Sequence, residues 1–265
     1  MSEIRDLRGQ VALVTGASSG IGAAIAEALA LRGARVTLAA RRVDRLHALA
    51  EQIAQRGAQA SAQAKAQPGT QAGEMQVVAC DVRDEAQVEA AVRQTLERWG
   101  ALDILVANAG FGGRGPLVDG DTARWKAMLD TNVFGLLLTL KHGVKPMLAA
   151  GRGHVVVMSS IAGVVTTPGG AAYCGSKAAA SAIADALRME AGSQGVAVTA
   201  IEPGVVLSEF QAVAEYPPDI LKNMLNGATP LQPEDIARVV VQVCEQPEHA
   251  TVGELIIRPR GQARP

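Results

Sequence analysis

The chain has 265 residues, 48% of them apolar, enough to bury a large core within one α/β domain. With 25 basic and 26 acidic residues the net charge is −1, so no global field draws nucleic acid or an anionic membrane. No apolar run reaches the ~18 residues of a membrane span, residues 1–10 lack the apolar stretch of a signal peptide, and Cys80, Cys174 and Cys244 have neither metal-ligand spacing nor a disulfide framework, which points to a reduced cytoplasm.

Val11–Val14 is an apolar run that reads as a buried strand, and Ala23–Ala30 reads as a helix. Between them lies Thr15-Gly16-Ala17-Ser18-Ser19-Gly20-Ile21-Gly22. A strand, a glycine-rich turn and a helix in that order make a phosphate-binding unit. Gly16 permits the sharp turn, Gly20 lets backbone N–H groups approach a pyrophosphate, and Gly22 lets helix and strand pack closely. A glycine-rich turn with no ligand is the alternative.

The second strand, Ala34–Ala40, ends at Arg41-Arg42. An acid at this strand end would bond the adenosine ribose hydroxyls of NAD. Here Ala40 leaves room and the Arg41 guanidinium suits a 2′-phosphate, which favours NADP; two solvated arginines at a helix start are the alternative. Residues 43–56 have helical spacing. Residues 57–74 hold an Ala/Gln/Gly tract without a large apolar residue and read as an exposed insertion, with an extra turn of helix before Pro68 left open. The third strand, Met75–Cys80, closes on Asp81-Val82, where Asp81 either accepts from an adenine amino group or caps the helix over 85–99. The fourth, Leu102–Ala107, ends in Asn108-Ala109-Gly110, a small turn that lets backbone lie close to a ligand.

A helix from about Asp130 to Leu148 carries Asn132, whose amide competes for backbone groups; it has either a tertiary role or a satisfied place in a helix bend. The fifth strand, His154–Met158, empties into Ser159-Ser160, and Tyr173 follows Ser160 by thirteen residues. The four-residue step from Tyr173 to Lys177 puts both on one face of a small-residue helix. The sixth strand, Val196–Ile201, leads to Pro203-Gly204. Residues 205–229, irregular and apolar, read as a binding loop or lid. A helix over 233–246 and a strand over 254–258 follow, with no repeat and no second domain.

The Gly-x3-Gly-x-Gly turn, the strand-end serine before Tyr-x3-Lys and the Pro-Gly turn together resemble the short-chain dehydrogenase/reductase family, from about Gly9 to Arg258. The resemblance implies a Rossmann fold: a doubly wound, seven-stranded parallel sheet in the order 3-2-1-4-5-6-7 with helices on both faces. It implies a catalytic set of Asn132, Ser160, Tyr173 and Lys177 and no metal. It implies an NADP(H) site of Gly16, Ser18, Ser19, Gly20, Ile21, Gly22, Arg41, Arg42, Asp81, Val82, Asn108, Ala109, Gly110, Tyr173, Lys177, Pro203, Gly204, Val206 and Ser208.

In that scheme Tyr173 is general base for alcohol oxidation and general acid for carbonyl reduction, its ordinary pKa of ~10 lowered by the Lys177 ammonium. Ser160 donates to the substrate oxygen, Lys177 also bonds the nicotinamide ribose, and Asn132 holds a water linking Lys177 to solvent. The expected substrate is a medium-sized, partly apolar carbonyl or alcohol; Arg114 would meet a carboxylate if it faced the site, and otherwise is a surface arginine. Where the family usually has Asn-Asn-Ala-Gly this chain has Ala107-Asn108-Ala109-Gly110, which removes a side chain that ties strands together. Ala39-Ala40-Arg41-Arg42 and Ile201-Glu202-Pro203-Gly204 look closest to the clavulanate-dehydrogenase and hydroxy-acid-dehydrogenase branch.

Family members usually pack the helices carrying Asn132 and Tyr173 against their copies, which implies a homotetramer or homodimer. Ala178, Ala179, Ala180, Ala182 and Ala186 would permit that approach, or pack within the subunit. Two rival readings are a non-catalytic NADP-binding regulator on the same fold and a nucleotide-sugar epimerase or dehydratase. The first has no need of all four catalytic residues, and the second is expected to carry a sizeable further substrate domain.

Overall fold

The computed structural model describes residues 4–63, 72–214, 218–225 and 227–262. Seven strands, β1 (Val11–Thr15), β2 (Arg35–Ala40), β3 (Met75–Ala79), β4 (Ile104–Ala107), β5 (Gly153–Met158), β6 (Val196–Pro203) and β7 (Glu254–Ile257), form one sheet in the order β3-β2-β1-β4-β5-β6-β7. Every pairing is parallel, as expected from the sequence. The strand order reverses between β1 and β4, which pair through Ala12–Ile104, Leu13–Leu105 and Val14–Val106. At that reversal the connections leave in opposite directions, and a crevice opens at the carboxyl ends of the two strands.

The helices are α1 (Gly20–Leu31), α2 (Val43–Gln63), α3 (Glu85–Trp99), α4 (Thr122–Leu129), α5 (Gly135–Ala150), α6 (Ala171–Ala191), α7 (Phe210–Val213), α8 (Pro218–Leu225) and α9 (Pro233–Cys244). They cover both faces of the sheet, which is why the central strands β1, β4 and β5 are buried at every position rather than at alternate ones. Ala12 and Val14 of β1 enter a core with Ile25 and Leu29 of α1, Leu46 of α2 and Ile236 of α9. Leu13 enters the opposite core with Val88 of α3, Leu138 and Val144 of α5 and Ala184 of α6. A fully buried leucine such as Leu13 or Leu29 contributes roughly 1.5–3 kcal/mol.

One segment takes up an alternative that the sequence reading left open, and two depart from it. The tract expected as a surface insertion over 57–74 is helical in its first part: α2 runs on to Gln63, because Ala and Gln are strong helix formers. Residues 64–71 lie outside the described residues. The helix that carries Asn132 starts eight residues before Asp130, capped by Asp121, whose side chain accepts from the N–H groups of Ala123 and Arg124. One π turn, Asp130–Phe134, joins α4 to α5. The span 122–150 is long and apolar enough to cross a membrane by length and composition, yet Leu136, Leu138, Leu140, Val144 and Met147 of α5 are buried against the rest of the fold. Finally, the segment expected to be irregular over 205–229 contains α7 and α8.

His154 sits in β5, 3% exposed, with Nε2 2.8 Å from Thr199 Oγ1. The Thr199 hydroxyl donates its single proton to the Val252 carbonyl at 2.6 Å, so Nε2 carries the imidazole proton. Burial, with a smaller push from Arg5, lowers the His154 pKa to about 4. Between pH 6.5 and 4 the unfolded chain therefore takes up a proton that the native chain refuses, and stability falls as the pH falls. Urea unfolding of the wild type and His154→Gln at pH 7.5 and 4.5 checks this. The wild type should lose about 2.5 kcal/mol more than the variant on acidification.

Candidate active site

The crevice is built first by the turn after β1. Gly16 lies at φ 68°, a left-handed conformation that an L side chain resists. A Cβ on Gly22 would fall 2.4 Å from the Gly16 carbonyl oxygen and 2.5 Å from Asn108 Nδ2, so α1 can start this close to β1 only with glycine there. Asn108 Nδ2 donates to the Thr15 carbonyl at 3.0 Å, and the N–H groups of Asn108 and Ala109 donate to Thr15 Oγ1 at 3.1 and 3.2 Å. These bonds tie β1 to β4, so Asn108 and Thr15 supply a strand tie despite Ala107.

At one end of the crevice, Arg42 grips the turn. Its Nε donates to Ser18 Oγ at 3.1 Å and its Nη2 to Ser19 Oγ at 2.6 Å, while Nη1 pairs with Glu209 at 3.0 Å. Arg41 is exposed, lines the same cavity and forms no hydrogen bond or ion pair among the described residues. Asp81 is not the cap of α3. That role belongs to Asp84, which accepts from the N–H groups of Ala86 and Gln87. The Asp81 carboxylate is held by Arg83 through both Nε and Nη2, and its pKa is lowered chiefly by those bonds. Val82, 5% exposed, packs on the π-turn side of the fold, where a Cβ on Gly135 would meet its side chain at 2.7 Å.

The other end gathers the four expected catalytic residues. Tyr173 and Lys177 stand one turn apart on α6. Lys177 is 7% exposed, its Nζ donates to the Met158 carbonyl at the end of β5 at 2.8 Å, and burial lowers its pKa to about 8. Ser160 Oγ accepts from the Ala162 N–H at 3.1 Å and faces the Pro203 carbonyl at 3.5 Å, a long contact that leaves its proton free to turn to a closer acceptor. Asn132, in the π turn, accepts from the Phe111 N–H at 3.0 Å and donates to the Phe111 carbonyl at 2.8 Å and to Ser176 Oγ at 3.0 Å. Both amide hydrogens are thus engaged, and Oδ1 keeps one lone pair. A small void of about 10 Å³, lined by Asn132, Thr139 and Lys177 among others, lies behind the main site.

Tyr173, Lys177 and Ser160 line one cavity of about 580 Å³ with every expected cofactor residue, from Gly16 and Arg41 to Pro203, Gly204, Val206 and Ser208. The glycine cradle at one end and this volume fit a dinucleotide. Arg114 is not among the lining residues; its Nη2 donates to the Pro168 carbonyl. The sequence reading missed Phe111, Glu209 and Gln262, which also line the cavity. Phe210, noted only as part of an apolar segment, packs against the Tyr173 ring with centroids 5.6 Å apart and the planes tilted by 53°. The one cue in the sequence was scarcity. Three phenylalanines and two tyrosines make up the phenyl rings of the chain, and Phe111, Phe210 and Tyr173 meet here. Tyr216 lies outside the described residues.

A parallel sheet with a glycine cradle at its reversal point and a serine, tyrosine and lysine beside it defines a Rossmann-type nucleotide-binding oxidoreductase. Residues 10–217 match the short chain dehydrogenase family, and the chain belongs to it. It is similar to the glycine betaine reductase ATRR of Emericella nidulans, 40% identical over 259 residues; the match covers 97% of this chain and 19% of that protein, about a fifth of its length. Among solved structures it is similar to an alcohol dehydrogenase from the archaeon Thermococcus sibiricus complexed with 5-hydroxy-NADP, with a TM-score of 0.79, 30% identity, and 97% and 98% of the two chains covered. It is also similar to the closed form of a serine dehydrogenase complexed with NADP+, with a TM-score of 0.84, 28% identity and 96% of each chain covered.

The Asn132 network carries a direct expectation. Asn132→Ala leaves the Phe111 N–H and carbonyl without partners and should destabilise the fold by about 2–3 kcal/mol. Chemical denaturation measures the loss, and Asn132→Asp, which turns a second acceptor toward the Phe111 carbonyl in a buried place, should not recover it.

Proposed function

We propose that the protein is an NADP(H)-dependent oxidoreductase that interconverts a carbonyl compound and an alcohol, with Tyr173 as its general acid and base. The observation that carries this reading is that Ser160, Tyr173 and Lys177 line one end of a single cavity whose other end is bounded by Arg41 and the glycine turn. When bound there, the cofactor supplies or accepts the hydride. The protein's part is position and charge. Lys177, held at the Met158 carbonyl, keeps two further N–H donors for ribose hydroxyls, and its ammonium draws the Tyr173 proton equilibrium toward phenolate. Ser160 turns its proton toward the substrate oxygen and stabilises the charge that develops there. Asn132 anchors the Phe111 segment along the cavity, and its remaining lone pair can order a water behind Lys177.

The preference for NADP(H) rests on Arg41, a cation at the end of β2 with no acid beside it on that strand. Arg41→Ala should weaken NADP binding by roughly 1–3 kcal/mol and leave NAD nearly unchanged, as measured by titration calorimetry. Equal losses for both cofactors would remove the assignment. Tyr173→Phe keeps the ring against Phe210 and deletes the exchangeable proton. Its turnover should fall by at least ~10²–10⁴ with NADPH affinity little changed. A folded variant that retained a large share of wild-type turnover would move the non-catalytic reading ahead.

The substrate end favours neutral or cationic compounds over carboxylates. Phe111, Tyr173, Phe210, Val213 and Met224 line it, and Arg114 is directed elsewhere. Aromatic faces attract quaternary ammonium groups, so cationic aldehydes and ketones that carry a quaternary ammonium, the group shared with the compound in the relative's name, belong in a substrate panel beside apolar aldehydes and ketones. A homotetramer or homodimer in the cytoplasm completes the proposal. Ala180 and Ala184 of α6 pack within the subunit, while Ala178, Ala182 and Ala186 are exposed on one stripe, as are Phe134 and Leu137 beside Asn132. Light scattering should report a multiple of the protomer mass at micromolar concentration, and a monomer would count against it.

A further inference from the structure

Glu209 stands at the start of the lid, one residue before α7, and its carboxylate is shared by two guanidinium groups. Oε2 takes Arg42 Nη1 at 3.0 Å and Oε1 takes Arg45 Nη1 at 2.5 Å. All three side chains are about half exposed, so the pairs are solvent-screened and individually weak. Their place matters more than their strength. The same Arg42 holds Ser18 and Ser19 of the phosphate turn, and Glu209 and Arg41 line the same cavity. Arg41, Arg42 and Arg45 bring three positive charges to this corner, and Glu209 cancels one. Asp81, the other carboxylate lining this part of the cavity, is taken up by Arg83.

We infer that Glu209 sets the cofactor selectivity of the enzyme by competing with the 2′-phosphate of NADP(H) for Arg42 and Arg45. The inference rests on the NADP(H) reading above. A 2′-phosphate beside Arg41 carries nearly two negative charges and draws on the neighbouring guanidinium groups. A fixed carboxylate on Arg42 repels it and holds that fork in a competing pair. NAD, with a neutral 2′-hydroxyl, meets no such competition. Glu209 therefore lowers the advantage of NADP over NAD below what the arginines alone would give. It also links the phosphate corner to the lid, because a phosphate that takes Arg42 loosens the residue that tethers the start of α7.

The test is equilibrium binding of NADP and NAD to the full-length protein, by calorimetry or tryptophan fluorescence, at low and high salt. The variants are Glu209→Gln, Glu209→Ala and Arg41→Ala. Both Glu209 variants should bind NADP about three- to tenfold more tightly, with NAD changed less than about twofold, and with a steeper loss of NADP affinity at high salt. If both Glu209 variants bind NADP as the wild type does, or more weakly, while Arg41→Ala loses NADP selectively, the role of Glu209 is overturned and the NADP(H) reading stands. If Arg41→Ala affects the two cofactors equally, the NADP(H) reading itself falls, and the inference with it.

Discussion

The buried ammonium of Lys177 is the constraint on which the Ser160–Tyr173 end of the cavity depends. Burial lowers its pKa from 10.5 to about 8, which amounts to about 3 kcal/mol held against the charged form. The fold tolerates the charge by offering it the Met158 carbonyl at the end of β5. Under the function proposed above, the same desolvation that makes the ammonium costly would make it effective, because its attraction for a Tyr173 phenolate one helical turn away is not screened by water. A lysine on the outer face of α6 would keep its ordinary pKa and do little for Tyr173. The local cost is thus what the proposed acid–base role of Tyr173 would draw on, and the surrounding elements bear it.

Those elements converge on the end of β5. Ser159 Oγ donates to the Lys177 carbonyl at 2.9 Å, so the strand end holds the helix at the residue that carries the ammonium. Ser176, fully buried between Tyr173 and Lys177, donates to the Tyr173 carbonyl at 2.8 Å and accepts from Asn132. Asn132 in turn fixes Phe111. The π turn at Asp130–Phe134 places that amide toward α6 within an otherwise regular run of helix, and such turns recur at functional sites. The π turn, α6 and the loops at Ser159 and Phe111 therefore meet through polar bonds that are all buried or partly buried, which makes the geometry around Lys177 stiff.

Much of this was legible in the sequence because the relevant signals are local. The apolar runs of β1, β4 and β5, the glycine turn and the step from Tyr173 to Lys177 each depend on a few adjacent residues, and the parallel order follows from alternation of strand and helix. The points that stayed open in the sequence had non-local or ambiguous causes. Residues 57–63 have the composition of a linker but the propensities of a helix, and α2 continues through them. Asp81 and Asp84 are both plausible caps three residues apart, and the choice was made by Arg83, which takes Asp81 and leaves Asp84 to the N–H groups of α3. The roles of Glu209 and Gln262 depend on contacts across the chain, with Arg42 at a separation of 167 residues and with the Val205 N–H at 57, and no pattern along the sequence announces them.

Ser208, Glu209 and Phe210 show how closely the two ends of the cavity are joined. A Cβ on Gly20 would meet the Ser208 side chain at 3.3 Å, so Ser208 lies over the phosphate turn. Glu209 reaches Arg42 and Arg45. Phe210 packs on the Tyr173 ring and so closely over Gly112 that a Cβ there would come within 2.3 Å of it. Three consecutive residues thus touch the turn, the arginines and the Tyr173 ring. The Ser208 hydroxyl accepts from the Phe210 N–H at 3.2 Å, and Gln211 closes the loop by donating to the Val206 carbonyl at 2.6 Å and accepting from the Ser208 N–H at 3.0 Å. The local bonds of Ser208 and Gln211 fix the shape of this segment, so the contacts with the arginines and with the Tyr173 ring are held by one short piece of chain.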